Sequence, residues 1–294
     1  MKFCLNILII LSILISVCFI VVCVISYFEN RKLTVTEYKI TDAFIPSAFH
    51  GFNIVQLSDL HNACFGAQNE ELIRKIRDLE PDLILVTGDM IVGKPGTDVN
   101  FAAATMNKLT DIAPVYFSMG NHELRTSIYT DIYGDMWECF KAQLNPKVNI
   151  LSDDKAIIKK DGAVIYLYGV SLNPHLYRRL IKMPMGPDYL ESVFGVCDKS
   201  SYNIFLAHNQ DYFSDYAAWG ANLTFSGHVH GGMIRLPVLG GALSPMIHFF
   251  PKYDKGLFCQ NGKYMILSGG LGNHTLKFRV NNLPEIVSVT LSRK

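Results

Sequence analysis

The sequence predicts an α/β layered domain with a partly parallel sheet, preceded by one apolar helix long enough to cross a membrane. Three observations carry this. Residues Cys4 to Phe28 form an uncharged, almost wholly apolar run. Beyond it, apolar stretches of strand length alternate with helix-like segments. Five of those stretches then end in polar side chains that do more than turn a chain.

The N-terminal run reads "CLNILIILSILISVCFIVVCVISYF". A bilayer core about 30 Å thick is crossed by roughly 20 such residues as helix. A cleaved signal peptide is the competing reading, since Val24 and Ser26 make a passable small-residue site, but its apolar core spans only about 7–15 residues. Length therefore favours a single-pass anchor over residues 1–28. A juxtamembrane segment and first strand occupy 29–49, and one soluble domain takes 50–294. Lys2 and the free amine flank one side of the span, Arg31 and Lys32 the other, so charge counting barely orients it.

The balance of 27 Lys and Arg against 26 Asp and Glu, interspersed, leaves no basic stripe, and nucleic acid is not expected as a partner. Of seven cysteines, Cys4, Cys18 and Cys23 fall in the span. Cys64, Cys139, Cys197 and Cys259 form no C-x-x-C pair, so neither a disulfide framework nor a structural zinc site is indicated.

In chain order, a first strand is expected around Thr34–Ile40. Further strands follow at Asn53–Leu57, Leu83–Thr87, Val115–Ser118, Ala163–Gly169, Ile204–Ala207 and Leu223–Ser226. Helical patterns lie between them at Asn69–Leu79, Val99–Leu109, Thr126–Leu144 and Tyr212–Trp219. The last third is more β-like, with an Asn261-Gly262 hairpin turn joining Leu257–Gln260 to Tyr264–Ser268.

The strand ends are the informative part. "NIVQLSDLH" closes on Asp59 and His61, "DLILVTGDM" on Gly88 and Asp89, and "PVYFSMGNHE" on Gly120, Asn121, His122 and Glu123. "NIFLAHNQ" closes on His208 and "NLTFSGHVHGG" on His228 and His230. Ligands in open α/β sheets collect beyond the carboxyl ends of strands. Asp59 or Gly88-Asp89 alone would be an ordinary turn. Three adjacent polar side chains after a buried strand are costly without partners, and an extended Gly-His-x-His-Gly sends both imidazoles to one side.

Taken in order, D-x-H, G-D, G-N-H-E, a lone H and G-H-x-H resemble the calcineurin-like metallophosphoesterase superfamily. The segments "LSDLHNACFG", "VTGDM", "MGNHE", "LAHNQ" and "SGHVHGGMIRLP" match its five blocks, over about residues 50 to 291. The Gly-Gly-x-Ile-Arg-Leu-Pro segment and the late Pro284-Glu285-Ile286 strand are similar to its membrane-anchored bacterial phosphoesterases. The resemblance implies a four-layer sandwich, two mixed β-sheets flanked by helices.

It also implies two divalent ions. One resembles that held by Asp59, His61, Asp89 and His230; the other would be held by Asp89, Asn121, His208 and His228, with Asp89 bridging. Carboxylate, amide and imidazole donors suit Mn, Fe or Zn. The implied reaction is hydrolysis of a phosphomonoester, phosphodiester or pyrophosphate by a metal-bridging hydroxide, without a phosphoenzyme. Asn121 would also orient a phosphoryl oxygen, and His122 resembles the family histidine that protonates the leaving oxygen or stabilises its charge. Glu123 is expected to support the loop; Gly227, Gly231 and Gly232 to allow a tight backbone and close approach of substrate. Cys64 and Arg235 carry no assigned role.

Alternatives are a nucleotide or cyclic-nucleotide phosphodiesterase and a non-catalytic metal-binding scaffold. No ligand is missing, which counts against the scaffold. The resemblance favours a catalytic domain on the extracytoplasmic side, at the cell membrane. The apolar run 233–251, interrupted by Pro237, Gly240, Gly241, Pro245 and Pro251, reads mostly as loop, with Arg235 and His248 its only titratable groups. It is either an irregular lid tucked into the core or an apolar wall for a lipid-linked or cell-envelope phosphoester.

Overall fold

The computed structural model describes residues 2–178, 182–243, 249–273 and 278–294. Fourteen strands are numbered in chain order. β1 is Thr34–Asp42, β2 Asn53–Leu57, β3 Leu83–Val86, β4 Val115–Phe117 and β5 Val148–Ile150. β6 is Asp154–Lys160, β7 Ala163–Val170, β8 Asn203–Asn209, β9 Leu223–Gly227 and β10 Ile234–Leu236. β11 is Gly240–Leu243, β12 Gly256–Gln260, β13 Lys263–Leu267 and β14 Glu285–Arg293.

Two six-stranded sheets result, ordered β1-β14-β2-β3-β4-β5 and β12-β13-β9-β8-β7-β6, with β10 and β11 a separate pair. Both are mixed. In the first, β14 runs parallel to β1 and antiparallel to β2, while β2, β3, β4 and β5 are parallel neighbours. In the second, β7, β8, β9 and β13 are parallel and the outer strands β6 and β12 antiparallel.

Side-chain alternation explains the layering. In β3, Leu83 and Leu85 join the apolar layer shared with Leu206, Ile204 and Phe225 of the second sheet. Ile84 and Val86 turn the other way, onto residues of the helices Glu70–Asp78 and Asn100–Leu109. On the far face of the second sheet, Phe205 and Ala207 pack against Leu190, Tyr212 and Tyr216. Helix, sheet, sheet and helix therefore stack as four layers, as expected. Gln56, fully buried between the sheets, fixes their offset: its amide donates to Thr87 Oγ1 at 2.9 Å and to Ser226 O at 2.8 Å.

The expected strands all form, within two residues at each end, and Asn261-Gly262 makes its hairpin with φ of 52° and 73°. Three expectations change. The single helix over Thr126–Leu144 is broken into Asn121–Ile128, Thr130–Tyr133 and Met136–Ala142; Gly134, at φ 62°, ends the middle piece. β6 pairs with β7 through Asp161-Gly162, a second left-handed turn dipeptide that the alternation did not bring out. The 233–251 run is loop interrupted by a short hairpin, in which β10 and β11 pair antiparallel. Of its described residues, Val238, Leu239, Phe249 and Phe250 are exposed and so are not tucked into the core. Pro245 and His248 lie outside the described residues.

The N-terminal helix, Lys2–Glu29, contains one apolar span, Leu5–Glu29, long enough to cross a bilayer. Its last turn touches the rest of the chain: Ser26 Oγ accepts from the backbone N–H of Arg279 at 2.9 Å.

Candidate metal centre

Six of the seven predicted ligands converge, from two strand ends of the first sheet and two of the second, and Asn121 stands at a third end of the first sheet. Asp59 and His61 follow β2, Asp89 follows β3, Asn121 follows β4, His208 lies in β8, and His228 and His230 follow β9. One ligand atom each from Asp59, His61 and His230 lie within 4.8 Å of one another, and the same holds for Asp89, His208 and His228. Each of these two groups contains three of the four residues expected for one ion. Asp89 also meets His61 and His122 in a third such group, so it stands between the two halves. Its Oδ2 is 3.1 Å from His208 Nε2 and 3.7 Å from His61 Nε2.

The imidazoles are aimed by backbone carbonyls. Nδ1 of His61 lies 3.3 Å from Ile91 O, Nδ1 of His208 2.6 Å from Thr87 O, and Nδ1 of His230 2.9 Å from Gly272 O. A carbonyl only accepts, so Nδ1 carries a proton and Nε2 is the atom turned inward. Each carboxylate is fixed as well. Asp59 Oδ2 accepts from Ser58 Oγ at 2.6 Å and from His228 N at 3.1 Å; Asp89 Oδ1 accepts from His122 N at 2.8 Å. Glu123 does support the loop. Its two oxygens accept from Asp89 N at 2.7 Å, Gly120 N at 2.9 Å and Ile91 N at 3.1 Å.

Backbone strain concentrates here. Asp59, His61, Asp89, His228 and His230 all have φ between 45° and 77°, the left-handed region that non-glycine residues rarely occupy. Such residues cost of order 1–3 kcal/mol each and persist where surrounding contacts over-determine them. Two glycines make room. A Cβ on Gly120 would collide with the Asp89 carboxylate, and one on Gly227 with Ser58 Oγ. Gly227 therefore permits the close approach of the Ser58-Asp59 loop.

The donor set fits divalent cations. Asn121 Oδ1 is buried and accepts no hydrogen bond, as an amide oxygen reserved for a cation would be. Electrostatics agree. Burial opposes charge on His208, yet the Asp89 and Asp59 carboxylates outweigh it and raise its pKa to about 10. His228 is pushed down to about 3 by burial and then by His208. Asp89 is held well below the usual carboxylate range: burial opposes this, but His208 and His122 prevail. Glu123 is raised to about 7 by burial and by Asp89.

His208 thus holds a proton that a cation must displace. Because its folded pKa lies above the ordinary 6.5, loading is opposed below about 10 and eased as pH rises toward that value. Mn(II) affinity is expected to rise about tenfold per pH unit between about 7 and 9, one proton leaving per ion. A calorimetric titration at two pH values checks this; affinity that falls with pH would overturn the proton assignment.

Of the unassigned residues, Arg235 pairs with Asp254 at 3.0 Å and donates to Gly231 O at 2.9 Å, tying the β10–β11 pair to the ligand turn. Cys64 is exposed, its thiol 3.0 Å from Gly66 O. Sequence reasoning missed two residues. Arg279, fully buried, donates to the carbonyls of Gly269, Gly270, Gly272 and Asn282 and so shapes the loop that aims His230. Tyr177 packs its ring against His228, with centroids 5.3 Å apart. Neither belongs to a motif, and only their spatial neighbours mark them.

Residues 52–232 match the profile of the calcineurin-like phosphoesterases. Three relatives align over most of their length and most of this chain. YkuE of Bacillus subtilis, named an uncharacterized metallophosphoesterase, is 26% identical over 280 residues, covering 90% of this chain and 87% of its own. LpxG of Chlamydia muridarum, named a UDP-2,3-diacylglucosamine pyrophosphatase, is 26% identical and covers 87% of each chain. YaeI of Escherichia coli, named a phosphodiesterase, is 23% identical and covers 85% of each.

Proposed function

This chain belongs to the calcineurin-like phosphoesterase family and is a metal-dependent phosphohydrolase, and from that premise we propose that it is a membrane-anchored enzyme hydrolysing a lipid-linked or cell-envelope phosphoester. Residues 1–28 form the anchor, 29–49 the connecting segment and first strand, and 50–294 the catalytic domain. Asp59, His61, Asp89 and His230 would hold one divalent ion, and Asp89, Asn121, His208 and His228 the other, with Mn, Fe or Zn suited to the donors. Bound there, the two ions would lower the pKa of water and neutralise charge on a phosphoryl group.

The chain's own groups do the rest. Gly93 N donates to His122 Nδ1 at 2.7 Å, so the proton of the neutral ring sits on Nε2. That nitrogen lies 3.9 Å from Asp89 Oδ2, on the metal side, where its N–H can donate a hydrogen bond to a leaving oxygen and stabilise the charge that develops there. Arg125 Nη2, 3.3 Å away, sets a second, cationic donor beside it.

The observation that carries the lipid reading is an exposed apolar rim beside the site. Leu236, Val238 and Leu239 on the β10–β11 hairpin, with Phe249 and Phe250, begin a few residues after His230. Ile234 bridges to Val280, and the adjacent Arg279 N–H is the one that bonds Ser26 of the apolar helix. The rim and the end of the helix thus meet through one short segment. Exposed apolar area of this kind marks contact with a membrane or an apolar ligand. The diacyl substrate in the name of the Chlamydia muridarum relative supports the same reading.

The test compares kcat/KM for short- and long-chain versions of one phosphoester, with the full chain in detergent and a chelated sample as the blank. Long chains should gain about fourfold per methylene that enters the rim. Phe249→Ser/Phe250→Ser should lose most of that gain and keep the short-chain rate. Equal preference in the wild type removes the lipid reading. Hydrolysis that survives demonstrated metal removal removes the metal mechanism too.

A further inference from the structure

The hydroxyl of half-buried Tyr177 is a polar group that this mechanism leaves unused. It ends the 3-10 turn Pro174–Tyr177 after β7, and its ring lies edge-on to His228 and 6.3 Å from that of His208. Its hydroxyl oxygen is buried and has no hydrogen-bond partner. Leaving a buried hydroxyl unpaired costs about 1–3 kcal/mol.

Nearby phenols avoid that cost. Tyr212 donates to Met183 O at 2.8 Å and Tyr216 to Asn209 O at 2.7 Å. Tyr202, unpaired like Tyr177, sits in the apolar layer between the sheets, away from the ligand rings. Tyr177 alone of these two packs on metal-ligating imidazoles.

What would accept from it is legible in the cleft alongside. A space of about 30 Å³ lies beside Tyr177 and His228, bordered also by Arg178, Lys182, Asn209, Gln210 and Asp211. That is room for a single oxygen-sized group. Two cationic side chains against one carboxylate, with the unpaired O–H, favour an anionic oxygen over a neutral one.

We propose that Tyr177 is a substrate-binding residue that donates its O–H to a terminal oxygen of the phosphoryl group beside His228. The assignment rests on the phosphohydrolase reading above, and it names a contact which that reading lacks. Tyr177→Phe is the clean variant, since it keeps the ring packed on His228 and removes only the unpaired oxygen.

The experiment uses the full chain in detergent, loaded with Mn(II), and inorganic phosphate as the probe. Phosphate affinity, by calorimetry and as competitive inhibition, should weaken about tenfold to a hundredfold in Tyr177→Phe, the usual worth of a hydrogen bond to a charged group. KM for a phosphoester should rise alongside, with the bound metal per chain unchanged. Phosphate affinity and KM equal to wild type would show the phenol to be packing only. Loss of metal from Tyr177→Phe would make it a support for His228 and equally overturn the proposal. If the loaded wild type neither binds phosphate nor hydrolyses the ester, the phosphohydrolase reading itself has failed, a result separable from a silent Tyr177→Phe.

Discussion

Asp89→Asn should remove most of the activity, by about 10³-fold or more, and most of the bound metal with it. The carboxylate is shared by two groups of potential ligand atoms, and its Oδ2 stands closest to His208, at 3.1 Å. An amide keeps the shape, so the accepting bond from His122 N and the fit beside Gly120 survive. What disappears is the negative charge between two cations. Several kcal/mol of lost charge stabilisation corresponds to that rate loss. His208 would also lose the first of the two carboxylates that raise its pKa, so its proton should leave nearer the ordinary range. Elemental analysis of purified Asp89→Asn, beside its rate on a chromogenic phosphoester, checks the claim. Two ions per chain retained with full activity would show that Asp89 does not bridge.

His122→Ala should separate chemistry from binding. Its Nδ1 is committed to Gly93 N–H at 2.7 Å, so only Nε2 faces the centre, at 3.9 Å from Asp89. A ring that presents an N–H stabilises developing charge; a ring that presents a lone pair acts as a ligand. The Gly93 bond selects the first. Turnover should fall about 10²–10³-fold, the usual worth of one donor aimed at developing charge, with metal content nearly intact. His61, Asp89 and His122 also lie close enough to hold an ion together. If His122→Ala strips a metal, His122 is a ligand in that third group and not a donor to the leaving oxygen. A substrate with a strongly acidic leaving group should recover part of the loss, because less charge develops on its oxygen.

The candidate ligand residues were legible because each follows a continuous apolar run and breaks it with a residue too polar to bury unpaired. "NIVQLSDLH" and "NLTFSGHVHGG" have that form, and parallel strands buried on both faces produce it. The helix break at Gly134 was not legible from hydrophobic spacing, which continues from Thr126 to Leu144 across the break. Nor was the orientation of the imidazoles. His230 takes its direction from Gly272 O, and that carbonyl from Arg279, so the cause lies some 40 to 50 residues along the chain and in no motif. Tyr177 sits in "SLNPHLY", where nothing distinguishes it from a packing tyrosine. The apolar run after His230 was read from its prolines and glycines as loop. Two of those glycines instead stand in β11, where Gly241 pairs with Arg235.

The first sheet places β14 between β1 and β2, with Ile286, Val287, Val289 and Leu291 of that strand fully buried. Its order in space is therefore not the order in which a ribosome makes it. While the chain is being synthesised, β1 and β2 emerge early and each keeps an open edge until the closing strand is translated. Open edges recruit other strands. The early half of this protein must then be kept from pairing with itself or with neighbours throughout elongation, and an anchor helix already lodged in a bilayer would hold each nascent copy apart from the next.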